Sequence, residues 1–242
     1  MRLVRIYEGT SPLFTNSEFT LNEDGTGHLL RVLRMGVNDT FSIFDGLGNE
    51  YEAIILKCGK KALCKTLNPI ERKSTSPLFI ELAQVISRGD KMDFTLQKAT
   101  ELGVNAIYPL TSARCGVKLD AKRMEKKEQS WQKIVISACE QCYRADVPKI
   151  YNTSNLASFI QDDSDIVKVT LDPYANTKLK DLNLDKKRVR LLIGPEGGFD
   201  ASEVQMAKDH GYIGVSLGPR ILRTETAALV AISILGSHFG DL

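Results

Sequence analysis

Long apolar runs are missing from this chain. No stretch approaches the roughly 18–20 residues needed to cross a bilayer, so no spanning helix is expected. Met1-Arg2-Leu3-Val4-Arg5 lacks the apolar stretch of a secretory signal, which points to the cytoplasm. Cysteine is scarce: Cys58, Cys64, Cys115, Cys139 and Cys142 are odd in number and scattered, and read as reduced thiols rather than a disulfide framework. There are three histidines (His28, His210, His238), none in a metal-ligand pattern, so no metal is expected. An excess of one charge is also absent, with 32 Lys/Arg against 30 Asp/Glu. The 18 glycines follow no three-residue period, which excludes a collagen-like chain, and no internal repeat or low-complexity tract occurs.

What is present is an ordinary globular composition, 43% hydrophobic and 26% charged over 242 residues, enough for one large domain or two small ones. Residues 1–72 hold nine basic and nine acidic residues, whereas 114–149 hold nine basic and five acidic. The second stretch suits nucleic-acid contact, and equally a solvated helix face.

The first seventy residues predict small β structure. Strand-length segments Leu3–Tyr7, Asp39–Phe44, Glu50–Lys57 and Lys61–Leu67 are split by turns such as Asp45-Gly46-Leu47-Gly48-Asn49, with one short helix near Asp24–Leu33. Strands this short and close suggest a small barrel. Asn68–Pro77 has no hydrophobic period and reads as a linker, placing a boundary between domains 1–72 and 73–242.

Beyond it, strands and helices alternate. Strands are expected at Leu78–Ile86, Ala106–Leu110, Asp165–Leu171, Val189–Ile193 and Ile213–Leu217. Helices are expected at Asp90–Leu102, Asp120–Cys142, Ala201–His210 and Thr224–Leu235. That alternation implies an α/β domain with a mostly parallel sheet. The last helix is apolar nearly all round, and such a helix is buried, in the chain's own core or against a second subunit.

Two Gly-rich turns stand out. Ile193-Gly194-Pro195-Glu196-Gly197-Gly198-Phe199-Asp200 and Leu217-Gly218-Pro219-Arg220-Ile221-Leu222-Arg223-Thr224-Glu225-Thr226 each follow a strand and precede a helix. Both therefore lie at carboxyl ends of strands, where open α/β sheets bind ligands. Neither is a P-loop or a dinucleotide fingerprint, and no Gly-x-Ser-x-Gly occurs. Cys139-Glu140-Gln141-Cys142 lies inside a helical pattern and reads as buried thiols. His28, Arg31 and Arg34 fall at three-residue spacing, roughly along one basic helix face.

The two turns, with His28-Leu29-Leu30-Arg31-Val32-Leu33-Arg34, Lys98-Ala99-Thr100-Glu101-Leu102-Gly103-Val104 and Ala138-Cys139-Glu140-Gln141-Cys142-Tyr143-Arg144, closely resemble the RsmE family of 16S ribosomal RNA uridine-N3 methyltransferases, in the SPOUT superfamily. The resemblance spans essentially the whole chain. It departs at Tyr143, where related sequences often carry a small residue.

The resemblance implies an N-terminal PUA-like barrel that helps bind RNA, and a C-terminal α/β domain closed by a deep trefoil knot that holds S-adenosylmethionine (SAM). It implies a homodimer joined through the knot region, acting on 16S rRNA, free or in assembled small subunits. Gly194, Leu217, Gly218, Ile221 and Leu222 would surround the cofactor's adenosine, with Pro195, Gly197 and Ala227 beside them. Leu171 and Pro173 would form a third wall, and Glu196 and Thr224 the direct polar contacts. Arg223 would stabilise charge on the uridine, and Glu196 or Glu225 would serve as base, unless Glu225 only caps the last helix. RNA would be held by Arg5, His28, Arg31 and Arg34 from the small domain, and by Arg88, Lys91, Lys98, Arg114, Lys118 and Arg144 from the large one. A rival from another class is a non-catalytic RNA-binding or assembly factor, which would have no use for intact Gly-rich turns.

Overall fold

A computed structural model describes residues 4–10, 12–72, 76–184 and 187–242. Arg2 and the middle of the expected linker lie outside them. The chain divides into two compact units: residues 1–75 with 139–147, and residues 76–138 with 148–242. A split at a single point between 72 and 73 does not capture this, because the end of the long central helix and the loop after it return to the first unit.

The first unit carries β1 (Arg5–Tyr7), β2 (Glu18–Thr20), α1 (Glu23–Gly27), β3 (Thr40–Phe44), β4 (Glu50–Lys57) and β5 (Leu63–Pro69). The strands pair in the order β1-β3-β4-β5-β2, with β1 parallel to β3 and the rest antiparallel. Alternating burial along β4 puts Ala53 and Ile55 into a core with Phe41, Ile43, Leu21 and Leu29. β2 is a strand the sequence reading missed, since it is three residues long and buries one side chain, Phe19. Asn22 caps α1, its side chain accepting from Gly25 N at 2.7 Å. The expected helix near Asp24–Leu33 is broken in two, α1 passing into a π-helical turn over His28–Val32.

A buried charge organises this unit. The Arg5 guanidinium donates to both Glu50 oxygens at 3.0 Å, to the Cys139 carbonyl at 2.6 Å and to the Arg144 carbonyl at 3.1 Å. Ser42 also donates to Glu50. Tyr143 sits at φ +66°, left-handed backbone that suits a small residue better than an aromatic one. Its ring is covered by Arg72 at 4.7 Å and Arg5 at 5.2 Å, cation–π contacts that offset part of that strain.

The second unit contains β6 (Phe79–Val85), α2 (Lys91–Glu101), β7 (Ala106–Thr111), α3 (Ala121–Cys142, whose last turn belongs to the first unit), β8 (Lys149–Ile150), β9 (Ser154–Asn155) and α4 (Leu156–Ile160). It continues with β10 (Val167–Leu171), β11 (Arg188–Ile193), α5 (Ala201–Asp209), β12 (Ile213–Val215) and α6 (Thr224–Phe239). All strands are parallel, in the order β12-β10-β11-β6-β7-β8, with β9 pairing β7. Near-continuous burial along β6 and β11 is what a parallel sheet covered on both faces requires. Gly103 (φ +93°) and Gly211 (φ +82°) turn the chain out of α2 and α5. Asp200 and Glu203 form a reciprocal capping box at the start of α5. Among the described residues no helix is long and apolar enough to cross a membrane.

A candidate cofactor cavity at the carboxyl edge of the sheet

Because every strand of the second unit is parallel, all their carboxyl ends open on one edge. β10 lies between β12 and β11, so the turns after these three strands are neighbours although far apart in sequence. They enclose a cavity of about 760 Å³, within the ordinary range for small-molecule sites. Leu171 ends β10 and Pro173 and Tyr174 come from the turn after it, Gly194–Phe199 from the turn after β11, and Leu217, Gly218 and Arg220–Arg223 from the turn after β12. Thr224 and Ala227 of α6 close one side, and Lys91 and Arg114 reach in from elsewhere. Every residue expected to bind the cofactor lines this cavity, as do Arg223 and Glu196.

Local chemistry shapes each wall. Gly198 N donates to Pro195 O at 2.9 Å, and Gly198 at φ +66° permits the turn. A Cβ on Gly194 would stand 3.3 Å from the Phe199 ring, so the glycine lets that ring pack under the turn. In the turn after β10, Asp172 accepts from Tyr174 N at 2.9 Å, leaving the Tyr174 ring 86% exposed at the rim.

The polar groups divide by what already holds them. Glu196 accepts from Arg88 N at 3.2 Å and from Lys91 Nζ at 3.4 Å. Partial burial pushes its carboxyl up, but backbone N–H donors, its own and that of Arg88, and the Lys91 ammonium outweigh this. The net position is below the usual carboxylate range, so Glu196 is ionised at neutral pH. Thr224 is not a free contact: its hydroxyl donates to Gly194 O at 2.7 Å and accepts from Gln84 Nε2 at 3.1 Å. Thr224 therefore braces the first turn against α6. Gln84 is a brace the sequence reading missed, and its signal was a polar residue inside an apolar strand. Glu225 is not among the described cavity-lining residues. It sits in the first turn of α6, its side chain 13% exposed, 4.0 Å from Lys91 Nζ.

Three expected RNA contacts are corrected. Lys91 lines the cavity and faces two carboxylates, so it is not an outward phosphate ligand. Arg5 and Arg144 are buried. Arg5 is spent on Glu50 and backbone carbonyls, and Arg144 pairs with Asp146 at 2.5 Å, because arginine's fork satisfies carboxylates in a core as readily as phosphates outside. His28, Arg31 and Arg34 are exposed, but Arg34 (φ +56°) lies past the π-helical turn, so the three do not share a simple helix face. Lys98 pairs with Glu101 at 2.8 Å, while Arg88, Arg114 and Lys118 are exposed.

With this geometry in hand, the class follows from comparison. Residues 74–236 match the family described as an RNA methyltransferase domain, and residues 21–67 match the RNA methyltransferase PUA domain. Ribosomal RNA small subunit methyltransferase E of Buchnera aphidicola (Schizaphis graminum) is 38% identical over 94% of this chain and 93% of its own. The Bacillus subtilis protein of the same name is 31% identical over 90% and 89%. The chain belongs to this ribosomal RNA small subunit methyltransferase E family, its second unit carrying the RNA methyltransferase fold and its first a PUA-like domain. Among solved structures, the Neisseria gonorrhoeae enzyme of that name bound to SAM superposes with a TM-score of 0.92 at 37% identity, covering 100% of both chains. A Legionella pneumophila protein in complex with SAM gives 0.95 at 37% identity, also covering 100% of both.

Proposed function

We propose that this protein methylates N3 of a uridine in 16S ribosomal RNA of the small subunit, using SAM, in the bacterial cytoplasm. The observation that carries the reading is the cavity built by three strand-end turns, in a chain whose solved relatives bind SAM. The residues present fit that cofactor. The Gly194–Gly198 and Leu217–Gly218 backbone lines the cavity, the volume suits a nucleoside-sized ligand, and the Glu196 carboxylate suits a ligand carrying a sulfonium.

When bound, the cofactor supplies an electrophilic methyl group. The protein's part is alignment and charge. Backbone groups of Gly194, Leu217, Gly218 and Leu222 would hold the cofactor, and orientation alone supplies a large share of such a rate enhancement. Glu196 rather than Glu225 is the base, because it lines the cavity. A carboxylate held below its usual range is a weak acceptor for the N3 proton, so stabilisation of the uridine anion must carry weight. Arg223, exposed at the head of α6 and lining the cavity, supplies it. RNA is gripped through phosphates by Arg88, Arg114 and Lys118 of the second unit and by His28, Arg31 and Arg34 of the first. The C-terminal segment threads as a trefoil knot, and two chains associate through the half-buried apolar residues of α6, among them Val230 and Ile234. The RNA-binding domain comprises residues 1–72 with the 139–147 segment, and the remainder of 73–242 forms the methyltransferase domain.

The test is transfer of labelled methyl from SAM to unmethylated small subunits and, in parallel, to naked 16S RNA, with the product nucleoside identified by mass spectrometry. 3-Methyluridine is expected, with assembled subunits the better substrate. A different methylated nucleoside overturns the target atom, and failure to bind SAM overturns the enzyme reading in favour of an assembly factor.

A further inference from the structure

Resting on the RNA-methyltransferase reading, we infer that Gly116 is a seat for the Arg88 guanidinium, holding it as a preformed clamp for an RNA phosphate beside the reacting nucleotide. A Cβ at Gly116 would stand 2.0 Å from Arg88 Nε and 2.5 Å from Cζ, so the guanidinium lies directly on the glycine's backbone. Backbone conformation does not demand glycine there, since the Gly116 φ lies outside the left-handed region, and the nearest atoms to that Cβ all belong to Arg88.

The loop carrying Gly116 is fastened on its N-terminal side. Ala113 N donates to Glu203 at 2.7 Å, Arg114 Nη1 to the Gly197 carbonyl at 3.0 Å, and the Cys115 thiol to the Ile86 carbonyl at 3.6 Å. In a collision with an added methyl group the loop stays and the arginine leaves. The other end of Arg88 is fixed too, because its backbone N–H donates to Glu196.

The ligand class follows from where the fork points. Arg88 is exposed, pairs with no carboxylate among the described residues, and is absent from the described residues lining the cavity. An arginine fork outside the cavity suits an oxyanion that stays outside it. A backbone phosphate of the RNA meets that condition, and the cofactor's carboxylate does not. Holding the guanidinium in place beforehand lowers the ordering cost of the contact.

The experiment measures binding of unmethylated 16S RNA against salt, and SAM binding by calorimetry. The proteins are wild type, Arg88→Ala, Gly116→Ala and the double variant, with thermal melts of each. Both single variants are expected to flatten the slope of log K against log salt by about 0.7–0.9. Both should weaken RNA binding about three- to tenfold at physiological salt. The double variant should lose no more than either single one, and SAM affinity and melting temperature should hold. An unchanged slope in Arg88→Ala overturns the phosphate contact. A normal slope in Gly116→Ala, or additive losses in the double variant, overturns the seat. Weakened SAM binding instead reassigns the oxyanion to the cofactor's carboxylate and overturns the proposal. Absence of salt-dependent RNA binding in the wild type would be a failure of the methyltransferase reading itself.

Discussion

The Thr224 hydroxyl donates to the Gly194 carbonyl at 2.7 Å, joining the head of the last helix to the first Gly-rich turn across 30 residues of sequence. Gln84 donates to the same hydroxyl from the neighbouring strand β6. One side chain thus ties the cavity's floor to its wall. Thr224→Val is expected to lower stability by about 1–3 kcal/mol, because the part-buried Gly194 carbonyl loses its donor and the buried Gln84 amide keeps only its bond to the Val85 carbonyl. It should also weaken SAM binding, while Thr224→Ser restores both. Urea unfolding and calorimetry on the three proteins check this.

Arg223 lines the cavity and makes no side-chain capping bond to its helix. Arg223→Ala is expected to cut turnover about 100-fold, the scale of losing one preorganised charge stabiliser. SAM affinity should stay within about twofold if the residue acts only on the transition state. A comparable loss in both quantities would remove Arg223 from that role.

The acid limb of the pH profile follows from Glu196. Its carboxyl is held below the usual range, so a base in this position stays competent until the pH falls through that lowered value. The groups facing it are the Arg88 N–H and the Lys91 ammonium, with Glu225 behind Lys91. Removing the ammonium in Lys91→Met leaves burial less opposed, and the acid limb of kcat/KM should move to higher pH. Lys91→Arg should return it. A limb that stays put in Lys91→Met while Glu196→Gln abolishes turnover would separate the lysine from the base.

Glu50 governs the first unit. Burial pushes its carboxyl up, but hydrogen bonds from Arg5, Ser42 and Arg72, with the Arg5 charge, bring it below the ordinary value. Its folded pKa is depressed, so its contribution to stability is complete above the unfolded value of about 4.3. That contribution is lost as pH falls through the folded value. Glu50→Ala leaves the buried Arg5 charge unpaired and should cost about 3–5 kcal/mol in urea unfolding at neutral pH.

Val230 and Ile234 lie four residues apart on α6 and are only half-buried. A charge there is tolerated by a monomer facing water and not by an apolar subunit interface. Val230→Asp is therefore expected to shift sedimentation from two chains to one, without unfolding the chain. Unchanged sedimentation would place the interface elsewhere.

Much of the architecture was legible because periodicity and punctuation are local. Helices α2, α3, α5 and α6 and the main strands fall within a few residues of expectation, set by apolar spacing, Gly103 and Gly211. What escaped was short or non-local. β2, β8 and β9 hold two or three residues each, too few to show a period. The break at Gly27 depends on a π-helical turn that no spacing announces. Arg5 and Arg144 looked like phosphate ligands because their partners are hidden from a linear reading. Arg5 reaches Glu50 and a carbonyl more than a hundred residues away.

By itself, the sequence determined which segments become strands and helices and singled out two Gly-rich turns that line the cavity, since hydrophobic spacing and glycine placement act within a few residues. Its motifs also carried the family. Only the tertiary structure decided that β10 lies between β12 and β11, and so that three separate turns meet around one cavity. It likewise decided that Lys91 turns inward to two carboxylates, that Thr224 is a brace, and that Gly116 receives Arg88. The physical reason is that strand order and side-chain partners are settled by packing between residues distant in the chain, and no local pattern of residues records that distance.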